Sequence, residues 1–159
     1  MQLEERILSV LAQLEPGVLG VYWPMRGEFN PRGMALRAQA QWDCQLALPF
    51  AQREPVAMHF RRWDGSELNT VDECGLPSPA GKPVEPDVVL VPCVGFTPEG
   101  HRLGYGGGYF DRFLAQHPGV TAIGVAWEQA RITREELSPQ PHDLPLMAVV
   151  TEARIWTPD

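Results

Sequence analysis

No stretch of the chain reaches the roughly 18 consecutive apolar residues of a bilayer-spanning helix. The N-terminus has no basic segment leading into an apolar core. It carries Glu4 and Glu5 instead, so no secretory leader is expected. Cysteine is scarce. Cys44, Cys74 and Cys93 form an odd set without a Cys-x-x-Cys pair, which argues against a zinc site and a disulfide framework. They read as reduced thiols of a cytoplasmic protein. Positive charge is in deficit: 13 Lys and Arg face 20 Asp and Glu, a net charge of -7. That disfavours a broad nucleic-acid or membrane surface, so neither partner is expected, while a local basic pocket stays open. The histidines at 59, 101, 117 and 142 do not stand at metal-ligand spacing, and no Ser–His–Asp or Cys–His signature is present. His142-Asp143 is either an acid/base pair or a polar turn. Internal repeats and low-complexity tracts are also lacking, and nothing in the pattern specifies an oligomeric state. The 159 residues, 44% of them hydrophobic, suit one domain spanning residues 1–159.

What is present centres on Asp87 to Gln116. Asp87-Val-Val-Leu-Val-Pro-Cys-Val-Gly-Phe96 is a short valine-rich apolar run, as expected of a strand buried on both faces. Thr97-Pro-Glu-Gly100 is turn chemistry. Four glycines then fall within five residues, at 104, 106, 107 and 108, before a helical pattern that begins near Tyr109. Strand, glycine loop and helix start form the layout of an anion site. Loop N–H groups and the helix dipole converge there on phosphate oxygens. The loop is not a P-loop, since no lysine and hydroxyl residue follow Gly108, and Tyr109 breaks a Gly-x-Gly-x-x-Gly pattern. Arg102 offers a bidentate fork for phosphate. Tyr109 and Phe110 offer rings that stack on flat heterocycles. Asp111 suits a metal, a hydroxyl or a helix cap. A glycine-rich turn without a ligand is the competing reading.

Around this centre, residues 2–14 form an amphipathic helix with Leu3, Ile7, Leu8, Leu11 and Leu14 on one face. Strands are expected at Val18–Trp23, Gln45–Pro49, Ala57–Trp63, Asp87–Phe96, Gly119–Trp127 and Ala148–Thr151, with Arg154–Trp156 closing a hairpin or edge. A helix starts at Asn30-Pro31 and runs to about Trp42. Arg26 and Glu28 therefore sit at the carboxyl end of a strand, where open α/β sheets bind ligands. Glu128 and Gln129 are expected on the same side. Residues 64–86, rich in proline and glycine, read as a covering loop that reaches the ligand near Gly75-Leu76-Pro77. Strands alternating with helices predict a three-layer α/β/α sandwich with a central, mostly parallel, Rossmann-like sheet.

The run Arg102-Leu-Gly-Tyr-Gly-Gly-Gly-Tyr-Phe-Asp-Arg112, preceded by Val91-Pro92 and Gly95-Phe96, resembles the signature of the 5-formyltetrahydrofolate cyclo-ligase family, also called methenyltetrahydrofolate synthetases. Met25-Arg-Gly-Glu28, Gly75-Leu-Pro-Ser-Pro79, Pro141-His-Asp-Leu-Pro145 and Val149-Val-Thr-Glu152 extend the likeness from about Val18 to Glu152. The resemblance implies an enzyme that uses ATP and Mg²⁺ to turn a reduced folate, 5-formyltetrahydrofolate, into 5,10-methenyltetrahydrofolate. ATP phosphorylates the formyl oxygen, N10 attacks the activated carbon, and phosphate leaves. It further implies that Arg102, Leu103, Gly104, Tyr105, Gly106, Gly107, Gly108, Tyr109 and Phe110 hold the phosphates, with Arg102 and Tyr109 as the catalytic pair. Glu28, Met58, Tyr109 and Phe110 contact the folate, and Asp111 is the candidate metal residue.

Two features depart from the family pattern. Family members begin with a basic helix, whereas this chain starts at the next one, with only Arg6 near its start, so weakened ATP binding is expected. Met147 stands where an aspartate is expected. A working cyclo-ligase, a non-catalytic folate- or nucleotide-binding paralogue and a structural or partner-binding domain are the three readings that follow.

Overall fold

A computed structural model describes residues 2–25, 27–103, 108–137 and 145–158. The expectations for Arg26, for Gly104, Tyr105, Gly106 and Gly107, and for His142-Asp143 lie outside the described residues.

Helix α1 (Gln2–Leu14) forms as its periodicity predicts, burying Leu3, Ile7, Leu8 and Leu11. Each such side chain contributes roughly 1.5–3 kcal/mol when fully buried. Strand β1 (Val18–Gly20) leads through a loop to helix α2 (Arg32–Trp42) and strand β2 (Gln45–Gln52). Strand β3 (Ala57–Trp63) returns antiparallel to β2 and carries the two-residue strand β4 (Pro83–Val84). Strand β5 (Val88–Pro92) is followed by a small hairpin, β6 (Gly95–Phe96) and β7 (Arg102–Leu103), and then by helix α3 (Tyr109–Gln116). Strand β8 (Thr121–Val125), a 3-10 turn at Glu128–Ala130, helix α4 (Arg134–Leu137) and strands β9 (Ala148–Val150) and β10 (Ile155–Trp156) complete the order.

Eight strands form one sheet in the order β10-β9-β8-β5-β1-β2-β3-β4. The contacts β9-β8-β5-β1-β2 are all parallel, and the two edges are antiparallel. Both faces are covered. Val88 and Leu90 of β5 pack with α1 and α2, while Val89 and Val91 pack with Phe113 and Leu114 of α3. The valine-rich run is therefore buried on both sides, and the mostly parallel α/β architecture is as predicted. On β1, Gly20 leaves room for the Phe60 ring of β3 in the same sheet. A Cβ there would lie 2.9 Å from Cε2 of Phe60 and 3.2 Å from Cγ2 of Val89.

Several boundaries differ from expectation for physical reasons. β1 ends at Gly20 because the chain from Tyr22 turns off the ladder to wall a cavity. β2 runs on through Pro49 to Gln52, because β1 pairs only with residues 45–47 and the missing proline N–H faces no neighbour. The run 87–96 splits at Cys93, whose N–H donates to Val125 O before the chain enters the β6–β7 hairpin. Pro31, not Asn30, occupies the cap position of α2, although Asn30 Oδ1 still accepts the Arg32 N–H at 3.0 Å.

Glu128 turns away from the expected ligand side and closes the β9–β10 edge. Its Oε1 accepts from Thr151 Oγ1 at 2.8 Å and Trp156 Nε1 at 3.0 Å, and its Oε2 faces Arg154 and Arg131. Burial pushes the carboxyl up, but these donors and the two arginines outweigh it and hold the group below the usual carboxylate range. A depressed folded value means the stabilisation is fully present above the unfolded value, about 4.3. It is lost as pH falls through the folded value. Glu128→Gln is therefore expected to cost about 1–2 kcal/mol at pH 7, or roughly 3–6 °C in melting temperature. The two proteins should converge as the pH drops below about 4 in thermal melts followed by circular dichroism; a constant gap would contradict the carboxylate's role.

Candidate active site

Strand β1 continues into α2 and β2 on one side of the sheet, whereas β5 continues into α3 and β8 on the other. The winding thus reverses between β1 and β5, and open α/β sheets bind ligands beyond such a point. A cavity of ≈ 530 Å³ lies there. Tyr22, Trp23, Met25 and Glu28, after β1, form one wall, and Pro92 marks the end of β5. Arg102 and Leu103 of β7 and residues 108–111 at the start of α3 form the second wall. Pro49, Ala51 and Met58 of the β2–β3 hairpin form the third, and Asp72, Leu76 and Pro77 of the covering loop close it.

Arg102 is the buried cation among the described residues that line this cavity, with its side chain only 10% exposed. One Nη donates to Asp111 Oδ1 at 3.2 Å, the other to Pro92 O at 3.2 Å, and the guanidinium lies 5.7 Å from the Phe110 ring centre. Its buried Nε has no hydrogen-bond partner among the described residues. A donor left so is costly by about 1–3 kcal/mol and well placed for an incoming oxygen. Phe110 is held from beneath by Phe60, in an edge contact at 6.5 Å. Gly108 precedes α3 with φ at +72°, a left-handed conformation that favours glycine.

Glu28 reaches the cavity from the other wall. Its carboxylate Oε1 accepts the Met25 N–H at 2.7 Å, closing the turn it sits on. Cys93 lies buried below, and burial raises its thiol to about 11 although Arg102 pulls it down. Tyr109 meets the covering loop: its hydroxyl lies 3.2 Å from Cys74 Sγ, and this contact and burial raise its pKa.

The structure thus brings Glu28, Met58, Arg102, Leu103, Gly108, Tyr109, Phe110 and Asp111 to one cavity. Asp111, the candidate metal residue, is 70% exposed and bonded to Arg102. No group of three or more His, Cys, Asp or Glu among the described residues is placed to hold a metal ion. Sequence reasoning missed Asp72, which is buried and anchors the covering loop. Its Oδ1 accepts the N–H groups of Cys74 and Leu76, and its Oδ2 that of Ala51. The signal was there: Asp72 with Gly75 three residues on is a turn in which the carboxylate bonds its own backbone. Tyr22 and Trp23, expected as the end of the first strand, lie beyond β1 and line the cavity.

Fold, switch point and cavity define an α/β protein of the doubly wound class with a cavity at its switch point. The chain belongs to the 5-formyltetrahydrofolate cyclo-ligase family, whose model matches residues 1–152. It is 37% identical over 120 residues to a 5-formyltetrahydrofolate cyclo-ligase of Mycolicibacterium smegmatis, covering 69% of this chain and 61% of that one. An Escherichia coli protein of the same name is 40% identical over 72 residues, 44% of this chain and 38% of its own. The matched segments thus span less than two thirds of those relatives. The NMR structure of Aquifex aeolicus 5,10-methenyltetrahydrofolate synthetase superimposes with a TM-score of 0.76 at 28% identity, over 98% of this chain and 81% of that one. No helix of the described residues is long and apolar enough to cross a membrane.

The three thiols differ in a way that labelling reads directly. Cys74 is exposed, while Cys44 and Cys93 are buried with raised pKa values. An alkylating reagent near pH 8 is expected to add one label per native chain, at Cys74, and three after unfolding, by intact mass. Labelling of native Cys93 at the rate of Cys74 would contradict the packing beneath the cavity.

Proposed function

We propose that the protein converts 5-formyltetrahydrofolate to 5,10-methenyltetrahydrofolate in a reaction driven by ATP. The observation that carries this reading is the switch-point cavity with one buried arginine, formed by the segments that carry the family signature. The charged residues among its described lining are Glu28, Asp72, Arg102 and Asp111, and most of the rest is apolar or aromatic, as befits a flat heterocycle held by few polar groups.

ATP fits the residues present. Arg102 has a buried Nε without a hydrogen-bond partner among the described residues, and Gly108 takes a positive φ at the start of α3. When bound, ATP supplies the phosphoryl group that makes the formyl oxygen a leaving group for closure by N10. Arg102, its side chain 10% exposed, would hold the phosphate and offset its charge. Tyr109 and Phe110 stand beside it and exclude water, and Glu28 and Met58 orient the folate. Magnesium finds no protein-built site among the described residues. Asp111 alone stands near Arg102, so no step is assigned to the ion. We read the compartment as cytoplasmic, on the three free cysteines.

The test is turnover followed by methenyl absorbance, with and without Mg-ATP. Product is expected only with ATP. Arg102→Ala should raise the ATP requirement about 10- to 150-fold, from the loss of roughly 1.5–3 kcal/mol to a charged oxygen, and change folate binding little. Wild-type protein that binds the folate but forms no product at millimolar ATP is a binding paralogue, and the proposal fails.

A further inference from the structure

Glu28 sits on a short turn, and the carbonyls on either side of it are each held by an aromatic donor that follows a strand of the sheet. Trp127 Nε1 donates to Gly27 O at 2.8 Å, across 100 residues of sequence. Tyr22 OH donates to Phe29 O at 2.9 Å. Phe29 is itself buried and meets the Trp127 ring edge-on at 6.4 Å and 80°. Within the turn, the Glu28 N–H donates to Met25 O at 3.0 Å.

We propose that Tyr22 and Trp127 are positioning residues that bracket Glu28 and fix where its carboxylate faces the cavity; this rests on the reading that Glu28 orients the folate. A free turn keeps its own internal bonds but rocks as a body against the sheet. Two bonds to the carbonyls before and after one residue remove that rocking, because each comes from a different anchor. Tyr22 is 3% exposed and follows β1. Trp127 follows β8, and its neighbour Glu128 is bound into the β9–β10 edge through Thr151 and Trp156. Trp127 does not line the cavity, so it acts through the turn and not on the substrate. A misplacement of about an ångström in a positioning group is felt strongly in binding and catalysis.

The variants are Trp127→Phe, which keeps the ring against Phe29 and removes the N–H, and Tyr22→Phe, which removes only the O–H. The first measurement needs no ligand. Amide hydrogen exchange in the free protein should speed up about 2- to 10-fold at Glu28 in each variant, the range expected of one hydrogen bond, and stay unchanged in β5. The second is steady-state kinetics. KM for 5-formyltetrahydrofolate should rise by a similar factor while KM for ATP holds. In a Glu28→Gln background the same substitutions should add little further loss, as for groups that act through one another. Unchanged exchange at Glu28, or a full additional loss in the Glu28→Gln background, overturns the proposal. If exchange responds but wild-type protein binds no folate, the bracket stands and the folate reading is what fails.

Discussion

Strands β1 and β5 lie side by side and parallel, yet their chains leave for opposite edges of the sheet and opposite layers of helix. The connections must part beyond the carboxyl ends of the two strands, and the cavity lies there. Asp87 fixes this junction at the other end. Its two carboxylate oxygens accept the N–H groups of Gly17 and Val18 at 2.9 Å, tying the start of β1 to the start of β5. With the register held there, Tyr22, Trp23, Met25 and Glu28 after β1 and Pro92, Arg102 and Leu103 from the end of β5 onward line the same cavity.

The electrostatics of that cavity depend on a partly satisfied cation. A buried guanidinium with five donors needs a dense set of acceptors. Among the described residues, Arg102 has one exposed carboxylate and one backbone carbonyl as hydrogen-bond acceptors. An oxyanion entering the site strengthens the pairing and relieves an orphaned donor, whereas a neutral ligand does neither. On the proposed reading, this asymmetry favours an anionic group beside a flat, largely apolar body.

Much of this was legible in the sequence. β5 and β8 read as apolar strands because parallel strands are buried on both faces, and α1 read clearly from Leu3, Ile7 and Leu11. Glu28 and the start of α3 could be placed on one edge although they are far apart in sequence, since the carboxyl ends in a parallel sheet share an edge. The β6–β7 hairpin was not legible, because strands of two residues have no periodicity. It makes Arg102 a strand residue with a fixed direction instead of a loop residue. Nor could the sequence show that Glu128 would turn to the β9–β10 edge. Its donors come from Thr151 and Trp156, more than twenty positions away, and no local rule links them.

The irregular segments explain how a cavity walled by loops can be rigid. A loop cannot satisfy its backbone groups through a ladder, and a buried carbonyl or N–H without a partner is costly. Here the partners are side chains. Arg102 takes Pro92 O, Trp127 takes Gly27 O, Tyr22 takes Phe29 O, Ser78 takes Pro49 O, and Asp72 receives three N–H groups. Each of these five side chains reaches backbone, and four of them also line the cavity or stand next to a residue that does. The bonds that fold the loops are thus built from the same residues that shape the site. A substitution that changes the lining, at Arg102, Tyr22 or Asp72, therefore alters backbone position as well as local chemistry. Variation without loss of shape is confined to apolar lining positions such as Met58, Leu76 and Met25, whose side chains hold no backbone group among the bonds described.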